Sequence, residues 1–158
     1  MSTEHNKNLV RRYFEEAPKQ PDIYDEILTD DFQVHALHHA TITTDADRGP
    51  NAFKLLATAM QQGWTDNQMV VEELIAEGDH VMARWTFRGI HVGDAFGVLA
   101  TGKEVTYTGI NIFRIAHGKL AASWDMFDRL WIWQQMGVIP PTKEFLAKAR
   151  EAKEERTR

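Results

Sequence analysis

The sequence predicts an α+β fold, a strongly curved antiparallel sheet wrapped over three N-terminal helices as a cone with one open mouth. Three observations predict it. Helical spacing dominates up to Gly63, interrupted by one short strand. From Asn67 the apolar period changes to two. The strands then follow one another through turns, with no further helix pattern until Asp128. Runs of helix followed by runs of strand point to α+β and away from a parallel α/β fold, in which the two alternate.

Each element has its own warrant. Asn6 to Glu16 reads as a helix with Leu9, Val10, Tyr13 and Phe14 on one stripe, ended by Ala17-Pro18. Pro21 to Leu28 is a second, short helix. Phe32 to Leu37 alternates as a strand, and Thr41 to Arg48 is a polar loop. Gly49-Pro50 opens a third helix, because proline suits the first turn; Phe53, Leu55, Leu56, Ala59 and Met60 give it an apolar face and Gly63 closes it. Strands follow at Met69 to Ala76, His80 to His91, Glu104 to Ile115 and Lys119 to Phe127. Gly93, Gly97 and Gly102 mark the long loop between the second and third of these. Asp128 caps a last helix through Met136, which Gly137 stops. Residues 1–141 form the cone domain, and 142–158 a charged, helix-prone tail beyond Pro140-Pro141.

Composition excludes several functions. The 158 residues are 43% hydrophobic and 26% charged, a globular balance for one domain. A net charge of −5 argues against nucleic acid as a partner. No cysteine means no disulfide, thiolate metal ligand or thiol nucleophile. No stretch is long and apolar enough to span a membrane, and the start lacks a secretory leader, so a cytoplasmic location is expected. Five tryptophans, four of them in the C-terminal half, can fill a core or line a pocket for a flat ligand.

The chemistry is sought in the last hairpin. A three-residue loop Ala116-His117-Gly118 would pair Ile115 with Lys119, Asp125 with Gly109 and Asn111 with Ser123. Tyr107, Gly109, Asn111, Phe113, Ser123, Asp125 and Phe127 would then share one face. A carboxylate among those rings is poorly hydrated, which raises its pKa toward working pH. Gly109 would leave room for a substrate, and the Asn111 amide would steady the carboxylate or a substrate oxygen. The opposite assignment stays open, with Trp124 and Met126 inward and Asp125 in water. Asp128 is committed to its helix start. His35 is a second acid–base candidate on an inward strand position. His38 and His39 extend the HALHH cluster, which matches no metal motif; no metal and no cofactor are expected. His91 is placed at the rim. The glycine-rich loop lacks the lysine-serine pair of a phosphate loop and reads as a lid.

The stretch from Ala83 to Asp128, with Gly89-Ile90-His91-Val92-Gly93, Phe113-Arg114, Gly118-Lys119 and Asp125, resembles the SnoaL-like polyketide cyclases. Val10-Arg11-Arg12, Phe14, Gly49-Pro50 and Ala52-Phe53 fit as well, so the resemblance covers about residues 6 to 139. It implies the cone of nuclear transport factor 2, shared with ketosteroid isomerase and limonene epoxide hydrolase. It implies a cofactor-independent cyclase or isomerase acting on a polycyclic or polyketide substrate, with Asp125 as general acid and base. It also implies a homodimer through Thr108, Ile110, Ile112 and Trp124. The family's active-site histidine falls on Asn111, and its loop Pro-Pro is Leu99-Ala100. Trp85, Tyr107, Phe113, Phe127, Tyr13 and Phe14 are the expected substrate-binding walls. Two alternatives remain: an epoxide or lactone hydrolase or hydratase, for which Arg88 and Arg114 are at hand, and a non-catalytic small-molecule binder.

Overall fold

The computed structural model describes residues 2–36 and 48–156. Helix α1 (Thr3–Arg11) is capped by the Ser2 hydroxyl and continues directly into a π-helical turn, Arg12–Glu16. The wider turn swings Tyr13 and Phe14 together onto the sheet. Such turns insert a residue where a helix must present a particular side chain. Helix α2 (Ile23–Ile27) runs into strand β1 (Leu28–Ala36), and α3 (Gly49–Gly63) starts with Pro50 in its first turn.

Four strands then form a meander: β2 (Trp64–Glu77), β3 (His80–His91), β4 (Glu104–Ala116) and β5 (Lys119–Phe127). Among the described residues the sheet order is β1-β5-β4-β3-β2. β1 lies beside β5 and runs parallel to it, the one departure from the expected antiparallel sheet. β2 is longer than its apolar alternation suggests, because it carries two register shifts, after Thr65 and after Val71. A bulged strand slips its pattern from face to face while its ladder continues.

The core lies between the concave sheet face and the helices. Val105, Tyr107, Asn111, Phe113 and Ile115 on β4 are buried there, while Ile110 and Ile112 are exposed on the other side. Val10, Phe14, Ile27 and Phe53 cover the concave face from the helical side, and Phe32 on β1 meets them there. Burying rings of this size dominates the stability of such a domain, at roughly 25 cal/mol per Å² of apolar surface.

Helix α4 (Arg129–Met136) begins where expected, with the Asp128 carboxylate accepting from Trp131 N–H at 2.9 Å, and Gly137 ends it in the left-handed region at φ 81°. Helix α5 (Thr142–Arg156) is exposed over residues 142–155. No helix among the described residues is long and apolar enough to cross a membrane.

Candidate active site

The site is built on β4 and β5, and its register differs from the sequence expectation in an instructive way. The turn holds two residues, His117 and Gly118, both with positive φ, so Ala116 pairs with Lys119. That alone would put Asp125 on the wrong face. A bulge then adds Ala121 to β5, between the pairs Ile115–Leu120 and Arg114–Ala122. The two offsets cancel in parity. Asp125, Ser123 and Phe127 join Asn111, Phe113 and Gly109 on the concave side, as expected, but Asp125 faces Asn111 directly rather than Gly109.

Gly109 offers no room to a substrate, contrary to expectation. The indole of Trp85 lies across it. A Cβ added at Gly109 would come within 2.7 Å of three of its ring carbons. The indole is pinned there by its N–H, which donates to Asn111 Oδ1 at 2.7 Å. The Asn111 amide donates in turn to Ser123 Oγ at 2.9 Å. Three strands are thereby linked through one buried chain of polar groups. Asn111 is thus a structural pivot beneath Asp125, and its amide reaches Trp85 and Ser123 rather than the carboxylate.

Asp125 is half-buried, and its Oδ1 is fully enclosed with no hydrogen-bond partner among the described residues. Desolvation raises its pKa above the usual carboxylate range; its own backbone N–H and the positive charge of Arg129 act the other way and are outweighed. Around it the rings form one continuous wall. Tyr13 contacts Phe113 at 5.1 Å, Phe14 contacts Trp85 at 5.9 Å, and Tyr107 contacts Phe127 at 5.8 Å between centroids. All six expected wall residues, Trp85, Tyr107, Phe113, Phe127, Tyr13 and Phe14, are therefore brought together. Burial drives the Tyr13 phenol well above its ordinary range, and the Asp125 charge adds to the effect, so Tyr13 is a neutral hydroxyl close to the carboxylate.

The histidines fall elsewhere. His35 is exposed on the outer sheet face, stacked on Trp124 with centroids 5.3 Å apart, and not on the concave side with Asp125. The parallel pairing sets this, because it places His35 opposite Trp124 rather than beside Asp125. His91 is not at the rim but fully enclosed, against Trp64 and within 3.1 Å of Thr101 Oγ1. His38 and His39 lie outside the described residues. No group of metal-binding side chains is assembled among the described residues.

Two residues of the site escaped the sequence reading. Phe96, in the glycine-rich loop, packs on Tyr107 and Phe127, each with centroids 6.0 Å away. Arg129 lies over both phenylalanine rings. Neither sits on a strand, so alternation carries no signal for them. Two clefts of about 340 and 370 Å³ lie elsewhere, one by Arg88 and Glu104, one by Gly78 and His117.

Comparison with known proteins agrees with this architecture. The family model for the SnoaL-like polyketide cyclases matches residues 8–136. The chain is 31% identical over 140 residues to aklanonic acid methyl ester cyclase DauD of Streptomyces sp. (strain C5), covering 87% of this chain and 84% of that one. It is likewise 31% identical over 140 residues to aklanonic acid methyl ester cyclase DnrD of Streptomyces peucetius, covering 87% and 94%. Its fold is similar to that of TsrD from Streptomyces laurentii, with a TM-score of 0.76 at 24% identity over 88% of this chain and 99% of that one.

Proposed function

Because this chain belongs to the SnoaL-like polyketide cyclase family, we propose that it closes a ring in a polyketide substrate by an intramolecular aldol reaction, with Asp125 as general acid and base and no cofactor. The Asp125 carboxylate takes a proton from a carbon next to a carbonyl, and the C–H pair becomes the double bond of an enolate. The enolate carbon attacks a second carbonyl of the same molecule. The new alkoxide takes the proton back from Asp125. Proton transfer by a placed group contributes about 10²–10⁴-fold, and the aromatic walls add positioning by folding the substrate so that the two carbons meet.

The observation that carries this reading is the Asp125 carboxylate, held in an aromatic enclosure with a raised pKa and an unengaged oxygen. A hydrolase would need a second carboxylate to activate water, or the expected Arg88 beside Asp125. Asp128 is engaged as a cap, and Arg88 pairs with Glu104 at 2.8 Å on the exposed side of the sheet.

The test uses aklanonic acid methyl ester, the compound in the names of the two Streptomyces relatives, followed by chromatography and mass spectrometry. A product of unchanged mass that disappears with Asp125→Asn, in a variant that still melts cooperatively, supports the reading. A product heavier by one water favours the hydratase alternative. Full activity in Asp125→Asn overturns the mechanism. Thr108, Ile110, Ile112 and Trp124 on the outer face are the surface expected to pair two copies, and Ile110 and Ile112 are exposed there; sedimentation of the purified chain as a monomer would refute that pairing.

A further inference from the structure

Arg129 is placed in a way that packing alone does not explain. It opens α4 immediately after the capping Asp128, two residues beyond Phe127. Its guanidinium carbon sits 5.4 Å from the centroid of Phe127 and 5.9 Å from that of Phe96. Two ring faces flank the group and limit the planes it can take. Its Nε is buried and has no partner among the described residues. A buried donor left unmade is costly, so this atom calls for a partner.

The carboxylate it would naturally answer is Asp125, whose pKa its positive charge lowers. Yet the two form no ion pair within 4.0 Å. Asp125 Oδ1 is also buried and unpartnered. An unengaged acceptor and an unengaged cationic donor therefore face the same aromatic enclosure and stay apart. The ligand that satisfies both must accept from one and give to the other. A ketone with an acidic neighbouring C–H does so, through its oxygen and its carbon.

We propose that Arg129 is a further catalytic residue of this site, binding the oxygen of the carbonyl whose neighbouring carbon Asp125 deprotonates, so that the enzyme selects enolisable aromatic ketones. The inference rests on the acid–base role of Asp125. As the C–H pair moves into the carbon–carbon double bond, the carbonyl π pair moves onto oxygen, and the guanidinium meets the charge that develops there. Arginine holds its own proton throughout, so it stabilises charge without exchanging protons. When the enolate carbon attacks, the pair returns to re-form the carbonyl, and Asp125 protonates the alkoxide made at the second carbonyl.

The probe is 2-hydroxy-1,4-naphthoquinone, an enolate at neutral pH, set against its neutral 2-methoxy analogue of nearly the same shape. Binding of each is measured by quenching of tryptophan fluorescence. The intact protein should prefer the enolate by roughly 10–100-fold, the range of one charge-assisted hydrogen bond. Arg129→Met keeps the apolar stem over the rings, so it should erase most of this preference and leave the methoxy compound's affinity unchanged; Arg129→Lys should restore part of it. Asp125→Asn removes the like charge and should tighten the enolate alone. If Asp125→Asn tightens the enolate while Arg129→Met leaves the preference intact, the Arg129 role is wrong and the Asp125 reading stands. If neither variant changes the preference, or the intact protein binds neither compound, both fail.

Discussion

Replacing Gly109 with alanine tests the architecture of the site at a point where the backbone itself gives no objection. Its φ is not positive, so alanine meets no conformational penalty and should gain about 0.5–1 kcal/mol from a less flexible unfolded chain. The obstacle is the Trp85 indole, whose three nearest ring atoms all lie within 2.7 Å of the added Cβ. The ring must leave. It then loses its hydrogen bond to Asn111, at about 1–3 kcal/mol for a buried pair, and pushes on its neighbours for about 1–3 kcal/mol of overpacking. The net cost is about 2–5 kcal/mol, and for a domain of this size each kcal/mol moves the melting midpoint by about 2–4 °C. Calorimetry should therefore show a fall of roughly 5–15 °C. In a Trp85→Phe background the offending atoms are gone, and the same substitution should become neutral or mildly stabilising. A reversal of sign across the double-mutant cycle is the signature of direct contact. Equal losses in both backgrounds would show that the indole does not lie across Gly109, and the reasoning would fall.

Asp125→Asn should raise stability above the titration range of the aspartate and leave it unchanged well below. The folded-state pKa is raised, so Asp125 favours folding while protonated and loses that contribution as pH rises through its folded value. Thermal melts at acid and at neutral pH check this, and a larger gain at acid pH would contradict it. In turnover, the intact enzyme's kcat/KM should climb with pH as Asp125 ionises, and the limb should vanish in the variant's residual rate. Asn111→Ala leaves the Trp85 N–H and the Ser123 hydroxyl without a partner and opens a small cavity; a loss of about 2–4 kcal/mol in urea unfolding is expected. His35→Ala should leave kcat and KM within about twofold and cost under about 1 kcal/mol, because a partly exposed stacked pair contributes little; a large drop in kcat would return His35 to the site.

Strand and helix positions were legible wherever composition and period agreed. The span of β3 and the cap-to-stop limits of α4 are as the residues imply, because His80 and Asp128 sit at unmistakable boundaries. The buried face of β4 was legible for the same reason: its alternate positions are bulky and apolar. Three features were not. The β1–β5 pairing joins segments far apart in sequence, and without it the side of His35 had no determinant. The closure over Gly109 depends on a tryptophan on the neighbouring strand, which β4 alone does not reveal. Arg129 and Phe96 project from a helix start and a loop, where no period exists to read. Asp125 was assigned to the right side although the turn was misjudged, since the Ala121 bulge offset the missing turn residue.

That compensation makes residue count, as distinct from residue identity, a heritable constraint on this hairpin. Deleting Ala121 alone, or lengthening the His117-Gly118 turn by one, would rotate every later residue of β5 by half a pleat and expel Asp125 into solvent with its chemistry intact but misdirected. Doing both would restore it. Drift in chain length between Ala116 and Ser123 is therefore tolerated only in matched steps, and a homologue in which that interval differs by an odd number should have its acid elsewhere.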